Sequence, residues 1–171
     1  MHAVDVLRYG YLWVLRHVDA LPEEEWNTPG VCGVWSCREI IAHLTSFEHL
    51  LAEVLNGFLD GGPTPYLDQQ NDEGGERFND VQVGQRARQT PEETMAEYTA
   101  AAEKVLALAA RIPVETYRQT GSLPWYGMEY DLDDYISYGY YGHKREHMAQ
   151  IAVFLDLLAS SRRSEPATSA A

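Results

Sequence analysis

At 171 residues with 45% hydrophobic content, the chain is long enough to bury the core of one domain, and nothing in it marks a second. Its 26 acidic residues against 13 basic ones give a formal charge of −13 with no basic stripe, which argues against DNA, RNA or an anionic membrane as a partner. No apolar run approaches a membrane span, and the first residues lack the pattern of a secretory leader, so the expected location is cytoplasmic. Cys32 and Cys37 suit a reducing compartment, and their spacing fits neither a redox pair nor a zinc knuckle.

The hydrophobic pattern predicts an all-α fold, a bundle of four helices over residues 1–160 followed by a flexible tail at 161–171. In the first helix, Val4, Leu7, Tyr11, Val14, Val18 and Leu21 recur at steps of three and four. Ser36 opens the second as an N-cap, with Glu39 completing a capping box, and Ile40, Ile41, Leu44, Phe47, Leu51, Val54, Leu55 and Phe58 carry it forward. Residues 60–78 are rich in Gly, Pro, Asp and Gln without either period, so they read as a long crossover loop, mobile or serving as a lid over a pocket. Helical character returns near Asn79 and breaks at Thr90. It restarts there, with Thr90 as N-cap, Pro91 in the first turn and Glu93 closing the box; Met95, Tyr98, Ala102, Val105, Ala109 and Ile112 form the third stripe. A turn-rich stretch then brings Trp125, Tyr126 and Tyr130 to one end of the bundle. Asp131 caps the fourth helix, which is expected to run to about Leu158.

That fourth helix places Ile136, Tyr140, His143, His147 and Phe154 on one face, so both imidazoles point inward. Four residues advance a helix by about 6 Å and turn it by roughly 40°, which lets two rings on consecutive turns converge on one ion. A lone inward histidine is more often a hydrogen-bonded core residue, but two neighbours would each need a separate polar partner if no ion joined them. His43 lies on the inward stripe of the second helix between Ile40 and Phe47, which makes His43, His143 and His147 a candidate metal site. Three neutral imidazoles leave coordination positions open for a water or a thiolate.

Other candidates surround the triad. Tyr138, Tyr140 and Tyr141 cluster just before His143, and Tyr140 is the phenol placed to donate a proton. Glu39 could accept a hydrogen bond from His43, and Gln150 could line the pocket, although a cap carboxylate and an ordinary bundle amide are the plainer readings. Gly139 and Gly142 are costly inside a helix, which suggests a close backbone approach. The run HKREH also fits the inverted zinc-peptidase pattern with Glu146 as general base, a metal-dependent hydrolase. That reading needs a downstream carboxylate ligand, for which only Asp156 and Glu165 remain, and it leaves His43 idle.

The segment WNTPGVCGVWSCREIIAHL after a first helix, together with YGHKREHMAQI in the fourth, resembles the DinB/YfiT-like superfamily over residues 1 to about 158. The resemblance implies a bundle running up, down, down, up, with His43, His143 and His147 binding a divalent ion, usually zinc or nickel. It further implies a thiol transferase or isomerase that uses a low-molecular-weight bacterial thiol, such as mycothiol or bacillithiol, on a small-molecule substrate. A metal-binding stress or scaffold protein without catalysis is the alternative. Pairing into a homodimer through an exposed helix face is also implied.

Overall fold

The structure is a computed structural model and describes residues 2–164. Helix α1 (Ala3–Val18) buries Val4, Leu7, Val14 and Val18 as the stripe requires, with the His2 ring accepting from the Val4 amide at its start. A 3₁₀ turn at Glu23–Glu25 and a tight turn follow; in the latter Trp35 N–H donates to Cys32 O at 2.9 Å and Gly33 takes the left-handed φ of 58°. This turn leads into α2 (Cys37–Gly57), whose capping box is formed as expected: Glu39 Oε2 accepts from the Ser36 amide and hydroxyl, both at 2.8 Å. Helix α5 (Pro91–Ala109) opens on the box predicted for Thr90 and Glu93.

Between them the expected crossover loop is corrected. Residues 65–85 form α3 (Pro65–Glu73) and α4 (Gly75–Gln85), which meet at Gly74 with a φ of 77°. Neither helix has a side-chain cap of its own. Instead the Glu53 carboxylate, from α2, accepts from the Tyr66 and Leu67 amides at 3.0 Å, doing for α3 what a local N-cap residue does elsewhere. Phe78 inserts from α4 into the core with no exposure, and Arg86, 5% exposed, bonds Glu97 of α5 at 2.7 Å and the Gln82 side chain at 2.8 Å. The connection is a docked helical hairpin rather than a mobile loop.

The fourth bundle helix starts at the predicted Asp131 cap but is interrupted. Helix α6 (Leu132–Ile136) passes into a π-helical segment at Ser137–Gly142 and then into α7 (His143–Ser164). Gly139 and Gly142 both fall in this segment, but a methyl would meet only ordinary contacts, 3.8 Å from the Tyr135 ring and 3.5 Å from the Ser137 carbonyl, so the expected close backbone approach is not what selects them. Helix α7 continues to Ser164, past the expected end at Leu158, so the first residues of the expected tail are helical; 165–171 lie outside the described residues.

Helix α2 packs mainly along α5 and α1 along α7. His49–Glu97 and, just past the helix ends, Asp60–Arg111 set α2 and α5 in the same chain sense; Tyr9–Tyr141 and Glu25–Arg162, which include the π segment and the 3₁₀ turn, do so for α1 and α7, and Phe47–Tyr140 and His43–His147 run in the opposite sense. Two apolar clusters fill the interior, one around Leu7, Leu51, Leu55, Phe78 and Val105, the other around Val14, Ile40, Leu44, Tyr98 and Met148. No helix of the described residues is long and apolar enough to cross a membrane.

Candidate metal centre

His43 lies in the second turn of α2, on the face that also buries Ile40 and Leu44, and its ring meets the half-buried Trp35 at 5.0 Å and Phe47 at 4.8 Å. Trp35 packs on one apolar cluster and Phe47 on the other, so His43 sits where the two meet. From α7, His143 and His147 project toward it one turn apart. The three Nε2 atoms converge: His43 Nε2 lies 2.8 Å from His143 Nε2, which lies 2.9 Å from His147 Nε2. The sequence singled out these three, and the structure brings them together.

Burial strips water from the imidazolium form, and the neighbouring rings add repulsion. His43 is thereby lowered to about 2 and His143 to about 3, the latter helped by the Lys144 cation; His147 moves down for the same first reason, against the opposing pull of its hydrogen bond to Gln150. All three rings are therefore neutral near pH 7, the form that ligates metals.

Protons satisfy this arrangement poorly. His147 Nδ1–H donates to Gln150 Oε1 at 2.8 Å, which leaves its Nε2 as a bare lone pair. One N–H at most then serves the two contacts of His143 Nε2: given by His143 it is shared as a bent three-centre bond, and given by His43 it leaves the lone pairs of His143 and His147 opposed. A cation at the point of convergence would accept all three lone pairs. Imidazoles sharing a tetrahedral ion have nitrogens about 3.3 Å apart, for bonds of about 2.0–2.1 Å. The observed separations are within about half an ångström of that, so the residues fit such an ion. His43 Nδ1 is buried with no hydrogen-bond partner.

The remaining candidates fare differently. Gln150 orients His147 directly. Glu39 is committed to the Ser36 cap, so it is not the partner of His43. Tyr140 is buried and its hydroxyl pairs with Tyr135 Oη at 2.8 Å, and burial pushes its pKa well up; it has no hydrogen bond to the triad. Glu146 is solvent exposed on α7, where its negative charge opposes the lowering of the His147 pKa. The sequence reading passed over Glu48 and Lys144, a buried ion pair at 2.5 Å beside the triad. Its signal was present: Ile41, Leu44, Glu48, Leu51 and Leu55 step by three and four, which places a carboxylate on the apolar stripe.

An all-helical bundle that gathers three neutral imidazoles from two of its helices belongs to a recognisable class, with an interior donor set that could hold a divalent ion. The chain is a member of the DinB superfamily: the family's model matches residues 14–151, a span that takes in all three histidines. No curated protein and no solved structure matches it.

Proposed function

We propose that this protein binds one divalent ion, zinc or nickel, through His43, His143 and His147 and acts as a metal-dependent thiol transferase or isomerase on a small molecule. The observation that carries the proposal is the convergence of the three Nε2 atoms at 2.8 and 2.9 Å, where protons supply at best one shared N–H and a single ion would take all three lone pairs. When bound, such an ion keeps positions open and lowers the pKa of a thiol or water that joins it. The chain's own residues do the rest. Burial keeps His43 and His143 as neutral donors far below neutral pH. Gln150 holds the His147 ring in one tautomer and one orientation. Trp35 and Phe47, half-buried against His43, form apolar walls that exclude water and favour an apolar electrophile over a charged one. The thiol is expected to be of the low-molecular-weight bacterial kind, the location cytoplasmic and the assembly a monomer or homodimer.

A second reading, a metal-binding stress or scaffold protein without turnover, draws on the burial of His43 and His147, only 3% and 6% exposed. Two experiments separate these. Metal analysis of the purified chain is expected to give about one divalent ion per chain, and His43→Ala or His143→Ala to abolish it; full occupancy in both variants would refute the site. Incubating the metal-loaded protein with mycothiol or bacillithiol and an apolar electrophile is expected to yield metal-dependent conjugate. Tight metal without conjugate for any thiol supports the scaffold reading.

A further inference from the structure

Glu48 and Lys144 form an ion pair at 2.5 Å whose two side chains are 1% and 4% exposed. Two charges removed this far from water are a poor source of stability, since an apolar pair of similar size usually serves as well. Their location suggests another use. Lys144 follows the ligand His143 on α7, and Glu48 follows the ligand His43 by little more than a turn on α2. The backbones of α2 and α7 approach each other less than those of α2 and α5 or of α1 and α7, and besides their shared apolar cluster the ion pair is a polar tie between the two ligand-bearing helices. A second observation, on a third helix, points the same way. Gly10 sits inside α1, where glycine weakens a helix, and a methyl there would stand 3.3 Å from Lys144 Cδ and 3.4 Å from the Tyr141 ring. The missing side chain makes room for the lysine stem as it passes toward Glu48.

We infer that Glu48 and Lys144 are positioning residues: their buried pair locks α2 against α7 at the separation that brings His43 within reach of His143 and His147, and Gly10 admits it. The inference rests on the metal reading above and adds to it the element that sets the ligand geometry. Neither residue touches the ion.

The test uses the full chain and cobalt(II) as probe, whose visible absorption reports the symmetry of its ligand shell. In the double variant Glu48→Leu with Lys144→Met, the thermal midpoint is expected to hold while cobalt affinity, measured by competition with a chromophoric chelator, falls about 10- to 100-fold, with altered band positions. A purely structural role would move the midpoint and leave the cobalt spectrum alone. Unchanged affinity and spectrum in a folded double variant overturn the inference. Should that variant not fold, Gly10→Ala decides: it keeps both charges and presses on the lysine stem, with Tyr141 beside it, and a weaker cobalt complex supports the inference while an unchanged one overturns it. If the native chain binds no cobalt, the metal reading falls and this inference with it; equal binding by native and variant chains defeats the inference alone.

Discussion

Acidifying the metal-free protein should destabilise it through the histidines, by an amount that follows from the structure. A histidine whose folded pKa lies below its unfolded value of 6.5 binds fewer protons in the native state, so falling pH favours the unfolded chain. The contribution of His43 and His143 is complete above pH 6.5 and is lost as the pH drops from there toward their native values of about 2 and about 3. Between pH 7 and pH 5, each ring that stays neutral costs about 2 kcal/mol of stability, the free energy the unfolded imidazole gains by protonation, so the two together account for up to about 4 kcal/mol. With a urea m-value of about 2 kcal/mol per molar, the unfolding midpoint should fall by about 2 M across that range. Other groups titrate as well, so the decisive quantity is a difference. His43→Leu puts an apolar side chain in the same slot, and its pH-induced loss should be smaller than that of the native chain by about 2 kcal/mol. Equilibrium urea unfolding, in chelator, of both proteins at both pH values measures this. Equal losses in the two proteins, or a native chain that gains stability on acidification, would refute the claim that these rings are held neutral.

Gln150→Leu removes the acceptor for His147 Nδ1–H and is expected to weaken metal binding by about 10- to 100-fold while changing the unfolding midpoint little; Gln150→Glu, which keeps an acceptor, should recover most of it in the same chelator competition. Phe78→Ala should cost about 3–5 kcal/mol in chemical denaturation because the ring is wholly buried between the crossover hairpin and the bundle; a loss below about 1 kcal/mol would mean that α4 is not part of the core. Burial holds the Cys37 thiol up at about 12, so alkylation of the native protein at pH 8, read by mass spectrometry, should spare Cys37 until urea opens the fold, whereas rapid labelling of the native chain would contradict its placement.

What was legible in the chain was local. The boxes at Ser36–Glu39 and Thr90–Glu93 and the Asp131 cap close over three residues, and His43, His143 and His147 share the period of the apolar residues around them. What was not legible depended on distant partners. Helix α3 owes its start to Glu53, 13 and 14 residues from the amides it caps, and α4 is held by Phe78 in the core and by Arg86 on Glu97. Seen alone, residues 60–78 show no apolar stripe, although Thr64 and Pro65 repeat the Thr–Pro opening of α5. Glu39 could have served the cap or the imidazole, and the plainer of the two readings holds, because the cap lies closer along the chain. The π segment left only two glycines as its trace.

Sequence by itself determined that the chain is helical, where its long helices begin and which three imidazoles turn inward, because period and capping are properties of neighbours along the backbone. Only the tertiary structure decided that those imidazoles meet, that a glutamate and a lysine lie buried as a pair beside them and that the crossover folds into a docked hairpin. Each of these depends on how far apart helices distant in sequence come to rest, a distance set by the packing of their side chains and recorded in no single segment.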